Sequence, residues 1–190
     1  VNKIDFYELN LNKTLNYAYT LTLDYLNGNV TALKYLESKN WIVVGSDAGN
    51  LVVYSLDDEN VIFSNNNQHS ARITSIAIDP SEKLIVTGGR DSKINVWKIE
   101  DLKQDYKPIQ FKERFIVEDV EFISDNLFVS VTRGQDNDAM GRFNLGRLSL
   151  WSVNLDLLIG SLKGISDQWQ IADFASNEEY QKLIGEKLLE

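Results

Sequence analysis

His69, the chain's single histidine, stands between Gln68 and Ser70, ahead of Thr87 and Asp91. A hydroxyl, an imidazole and a carboxylate are the residue types of a nucleophile, its base and the group that orients the base, so acyl transfer is the first chemistry to weigh. Little around them supports it. The 190 residues contain no cysteine, which excludes a thiol nucleophile, a disulfide framework and a Cys-based zinc site, and one histidine excludes a multi-His metal site. No paired carboxylates and no metal-ligand spacing occur elsewhere. The segment Gly45-Ser46-Asp47-Ala48-Gly49-Asn50 resembles a phosphate-binding loop, but no helical pattern follows it, and Gly88-Gly89 is likewise turn chemistry. The expectation is no enzyme activity, no cofactor and no metal.

Charge and hydropathy narrow the classes further. A formal charge of −9 with a pI near 4.7 argues against general affinity for nucleic acid or anionic lipid, so any basic site must be local. With 43% apolar and 25% charged residues and no long apolar run, the chain reads as soluble, without a membrane span. The lack of cysteine fits a reducing, intracellular compartment, cytoplasmic or nuclear. Val1 opens the sequence without a signal segment and without Met, which is the expectation for part of a longer chain.

The elements that must hold these residues come in repeats. Val30–Tyr54 overlays Ile73–Trp97 without a gap at an offset of 43. Each copy reads as an alternating strand, a short β-branched strand and a second alternating strand, separated by Pro/Ser/Glu or Gly/Asp turns. A fourth strand follows each, in Val61–Asn65 and Lys107–Phe111. A third copy runs through Val117–Val131, Gly146–Val153 and Asp156–Leu162, but Trp151 lies 54 residues after Trp97, so 11 extra residues separate its second and third strands.

Four-stranded units of this period, closed by an aromatic residue on the third strand, resemble the WD-repeat β-propeller family. The resemblance implies an all-β fold of four-stranded antiparallel blades, here a partial propeller. It also implies a hydrogen-bonded tetrad of His69, Thr87, Asp91 and Trp97 in the second copy. Indole N–H only donates, carboxylate only accepts, and imidazole and hydroxyl do both, so the four can close a chain of bonds. On this reading His69 is structural. The first copy puts Leu26, Val44, Ala48 and Tyr54 at those positions; the third keeps Ser130 and Trp151 but has no histidine. The three copies end Tyr54-Ser55-Leu56, Trp97-Lys98-Ile99 and Trp151-Ser152-Val153. None supplies the Trp-Asp-x-Arg of propellers that serve as substrate receptors of cullin ubiquitin ligases.

The expected layout is a partial propeller over 1–175: a half blade at 1–23, blades at 24–66, 67–112 and 113–162, the last with an inserted loop at 132–146, and the start of a further blade at 163–175. Residues 176–190 admit two readings. Ser176 with Glu179 forms a capping box, and Tyr180, Leu183, Ile184 and Leu188 share one helical face, which predicts an amphipathic helix. Alternatively, residues 181–188 form a second strand of that blade. Missing blades of a longer chain, or a partner chain, are expected to complete the ring.

Function then rests on a surface. Arg72, Arg90, Arg114, Arg133, Arg142 and Arg147 all fall in, or at the rim of, the loops expected at one end of the propeller, and Phe143 lies beside Arg142 in the insertion. A guanidinium offers a planar fork of donors to carboxylate or phosphate, so this end suits an acidic or phosphorylated protein partner. The expected function is a non-enzymatic protein-interaction scaffold. The alternative is a purely architectural segment of a large complex subunit, with its interfaces elsewhere.

Overall fold

The computed structural model describes residues 2–66, 68–103, 105–138, 141–154, 157–165 and 168–174. Strands β1 (Asn2–Leu9) and β2 (Leu15–Leu23) form an antiparallel hairpin. Three larger sheets follow, each with its strands in chain order. The first contains β3 (Val30–Leu36), β4 (Trp41–Ser46), β5 (Leu51–Ser55) and β6 (Asn60–Asn65), and the second β7 (Ile73–Ile78), β8 (Leu84–Gly89), β9 (Lys93–Lys98) and β10 (Ile109–Lys112). The third contains β11 (Ile116–Ser124), β12 (Leu127–Asp138), β13 (Gly141–Ser152), β14 (Leu157–Ile165) and β15 (Gln168–Phe174). All pairings are antiparallel.

The middle strands of the first two sheets are apolar on both faces because those sheets are covered on both sides. In β8 every residue from Leu84 to Gly89 is buried. Its Leu84 and Val86 join Ala77, Ile94 and Val96 against Val117, Val120, Phe122, Phe128 and Trp151 of the third sheet. Its Ile85 faces the other way, with Trp97, Ile73 and Ile76, against Val43, Leu51, Val53 and Phe63 of the first. The β1–β2 hairpin covers the remaining face of the first sheet, placing Ile4, Leu21 and Leu23 on Ile42, Val44, Val52 and Tyr54. Each fully buried aliphatic side chain contributes about 1.5–3 kcal/mol.

The first strand of each sheet lies innermost, with β7 packed between β3 and β11. Lys34 on β3 comes within 3.8 Å of Glu121 on β11. Two devices set the spacing between neighbouring sheets. Thr31 Oγ1 lies 2.6 Å from the Ile73 carbonyl oxygen of the next sheet, and Thr74 Oγ1 lies 2.6 Å from that of Val117. Gly45 and Gly88 leave room for the neighbouring first strand. A Cβ on Gly45 would sit 2.7 Å from the Ile73 side chain, and one on Gly88 2.5 Å from that of Val117. At the corresponding places the third sheet carries Glu118 and Val131. Its outward face presents Leu127, Val129, Leu148 and Leu150 half-buried and Val131 39% exposed.

Three sequence expectations are revised or fall outside this description. The insertion at 132–146 is not a loop: β12 and β13 continue through it as a ribbon, paired from Arg133↔Gly146 to Asp138↔Gly141. Loop-forming composition did not prevent pairing, because a ladder needs backbone groups rather than apolar side chains. Among the described residues of 163–175, no separate sheet begins. β14 runs to Ile165, and β15 pairs with it as a fifth strand of the third sheet, from Gly160↔Phe174 to Ile165↔Gln168. Alternating polarity identifies a strand but not its neighbour. The two readings of 176–190 lie outside the described residues.

Candidate functional site

In the second sheet, β8 and β9 bring Thr87 and Trp97 to the face turned toward the first sheet, and the segment before β7 lays His69 over them. Trp97 Nε1 donates to Thr87 Oγ1 at 3.1 Å, Thr87 Oγ1 stands 2.8 Å from His69 Nε2, and His69 Nδ1 stands 3.0 Å from Asp91 Oδ1. Satisfying every group assigns the proton to Nδ1 and makes Nε2 the acceptor from Thr87. Asp91 Oδ2 also accepts from the Ser70 backbone N–H at 2.9 Å, and Oδ1 accepts from that of Lys93 at 3.3 Å. Burial works to raise the Asp91 pKa, but the hydrogen bond from His69 and the two backbone donors outweigh it, so the carboxyl lies below its ordinary value. Thr87 and Trp97 are fully buried and His69 is 2% exposed. The Thr87 hydroxyl is buried, and the four side chains form one continuous hydrogen-bonded brace.

The third sheet contains a shorter brace that sequence reasoning missed. Trp151 Nε1 donates to Ser130 Oγ at 2.8 Å, and Ser130 Oγ donates to Glu113 Oε1 at 2.7 Å. Glu113 is buried, and its backbone N–H reaches the Ser92 carbonyl at 2.8 Å. It stands 44 residues after His69, the offset of the first strands, so position alone could have found it. The first sheet has no such network: Leu26, Val44 and Tyr54 are buried in an apolar cluster with Leu23, Ile42 and Val52.

The arginines meet different fates. The Arg90 backbone N–H donates to the Arg72 carbonyl at 2.9 Å, tying the β8–β9 turn to the segment before β7. Both side chains line a depression of about 380 Å³ where the innermost strands begin, together with Val30, Thr31, Thr74 and Glu118. Arg133 meets Glu118 Oε1 at 3.0 Å through Nε and 2.9 Å through Nη2. Among the described residues, the guanidinium groups of Arg72 and Arg90 have no hydrogen bond or ion pair. The nearby Asp47 carboxyl is held below its ordinary range by the Asn29 side-chain and backbone N–H groups, with the charge of Arg72 adding to this. Arg114 lies over the Phe115 ring, 5.2 Å from its centroid. Arg147 is half-buried and engaged with neighbours. Arg142 and Phe143 sit on the ribbon opposite Asn137 and Asp136, and their side chains lie outside the described residues.

No group of His, Cys, Asp and Glu among the described residues could hold a metal ion. None of their elements is a helix long and apolar enough to cross a membrane.

Comparison with known proteins gives three findings. The family described as "WD domain, G-beta repeat" matches residues 61–98, from β6 to the end of β9. The chain is similar to the solved "Structure of U3-55K", with TM-score 0.58 and 17% identity over 76% of this chain and 41% of that one. It is also similar to the "Crystal structure of RRP9 WD40 repeats", with TM-score 0.57 and 16% identity over 74% of this chain and 40% of that one. The chain therefore spans about two-fifths of these structures, and at such identity the likeness concerns the fold alone. No protein of curated function matches the sequence.

Proposed function

We propose that this chain, built of WD-repeat β-propeller blades, is a non-enzymatic protein-interaction scaffold whose arginine-bearing end receives an acidic or phosphorylated segment of a partner inside the cell. WD-repeat propellers generally serve as scaffolds, and among the described residues His69 and Thr87 of the candidate triad are buried. The observation that carries the reading is the pair of guanidinium groups, Arg72 and Arg90, without a hydrogen bond or ion pair among the described residues, beside a depression whose lining carboxylate, Glu118, is paired with Arg133. On a protein of charge −9, such a local excess of donors selects carboxylate or phosphate, because two forks can each make bidentate hydrogen bonds.

The test is binding of a phosphoserine peptide and its unphosphorylated counterpart to the wild-type chain and to Arg72→Glu/Arg90→Glu. The phosphopeptide is expected to bind the wild type more tightly, with an affinity that weakens as salt is raised, and to lose most of that affinity in the variant while the melting temperature holds. Equal binding of both peptides, or binding indifferent to the charge reversal, would remove the recognition surface. One observation favours the architectural alternative: the outward face of the third sheet keeps the apolar pattern of the covered faces, with Leu127, Val129, Leu148 and Leu150 only half-buried. That pattern suits a segment of a larger ring.

A further inference from the structure

A second depression, of about 520 Å³, opens between the β1–β2 hairpin and the first sheet. Where the other sheets carry Trp97 and Trp151, the first sheet carries Tyr54, which lines this depression. In the second sheet Trp97 is packed edge-on by Phe63 at 5.6 Å and flanked by Tyr106 at 6.4 Å, the latter supplied by the long β9–β10 connection. The β5–β6 connection is only a tight turn, from Leu56 to Glu59, and provides no equivalent of Tyr106. The floor of the depression is apolar, made by Leu23, Leu26, Val52 and Val61.

The polar groups around this floor lack partners. Tyr54 is 9% exposed and lines the depression, yet its hydroxyl has no hydrogen bond among the described residues. The ring is buried while the hydroxyl oxygen opens to the depression. Burial, then the charge of Glu59, then Tyr19 raise its pKa, so the surroundings disfavour additional negative charge. Asp24 and Glu59 stand exposed at the rim, and neither makes an ion pair among the described residues. The exposed ring of Tyr25 lines the same opening. An apolar floor, aromatic walls, an unused hydroxyl oxygen and two free carboxylates are what a long aliphatic stem with a cationic head requires.

We propose that this depression receives a lysine or arginine side chain from a partner protein. The stem packs on Leu23, Leu26, Val52 and Val61. The head group donates to the Tyr54 hydroxyl oxygen and is neutralised by Asp24 and Glu59. This surface is separate from the arginine-bearing end and selects the opposite charge, so it stands whether or not that end binds an anion.

The experiment is a two-dimensional amide NMR titration of the chain with acetyl-Gly-Lys-Gly-amide, its arginine analogue and its norleucine analogue, which keeps the stem and lacks the charge. The expected result is shifts concentrated at residues 22–26, 52–54 and 59–61, with the basic peptides binding about ten-fold more tightly than norleucine. Asp24→Asn/Glu59→Gln, both at exposed positions, should abolish that preference, and Tyr54→Phe should weaken the basic peptides several-fold. The phosphoserine peptide of the preceding test should leave these amides unmoved. Norleucine binding as tightly as lysine, shifts located at Arg72 and Arg90 instead, or a preference that survives the double substitution would each overturn the proposal.

Discussion

From the Trp97 indole N–H, hydrogen bonds run through Thr87 and His69 to Asp91; in the third sheet the path from Trp151 passes only through Ser130 before reaching Glu113. Both end on a carboxylate, so removing either leaves a buried donor unpaired. Asp91→Ala is expected to cost about 2 kcal/mol or more in chemical denaturation, because His69 loses its acceptor where water cannot replace it. Glu113→Ala should cost about 1–3 kcal/mol, whereas Glu113→Gln, which keeps an acceptor for Ser130, should retain most of the stability. The Asp91 pKa is lowered in the folded state, so its contribution is complete above the ordinary value of 3.8 and is lost as pH falls through the folded value. The stability gap between the wild type and Asp91→Asn should therefore narrow in thermal melts on acidification below that value; a gap independent of pH would contradict the assignment. The four residues of the second-sheet brace were legible because their types and spacings match one pattern. Glu113 was not, because a glutamate among Lys112, Arg114 and nearby acids reads as a solvated charge until its burial is seen.

At the scale of elements, the gapless offset of 43 made the first two sheets legible, since it aligns strands, turns and the bulge positions together. The close approach of neighbouring sheets was not legible, because Gly45 and Gly88 each look like ordinary strand-end glycines. Gly88→Val is expected to destabilise the chain by about 1–3 kcal/mol or more, since the added carbon would meet the Val117 side chain and push β11 outward. A melt unchanged by that substitution would show that the sheets can slide apart freely. The ribbon's base is held in a similar way: the Phe115 ring lies against Gly134, where a Cβ would come within 2.0 Å of it. Gly134→Val should therefore lower stability too. Replacing residues 135–145 by a short turn should not, because the brace and the sheet core lie below the ribbon; circular dichroism melts of the two variants distinguish these outcomes.

For the molecule as a whole, the two interfaces between the larger sheets have the same sense: a threonine and a glycine of one sheet receive the first strand of the next. The sequence revealed the repeats but not this sense, which arises only when the sheets are packed. The outward face of the third sheet presents Leu127, Val129, Val131, Leu148 and Leu150, whereas the equivalent face of the second is buried. The 190-residue chain is expected to self-associate with rising concentration in sedimentation velocity, and Val129→Lys/Leu148→Glu should suppress it; association that persists in the variant would exclude that face. The exposed side of the β1–β2 hairpin, with Tyr7, Leu9, Leu15 and Tyr17, is chemically and geometrically different from that face. Molecules that met through these two surfaces would join front to back, like carriages of a train. Such contacts have no two-fold axis: they build closed rings when the rotation per molecule divides a full turn and open-ended filaments when it does not.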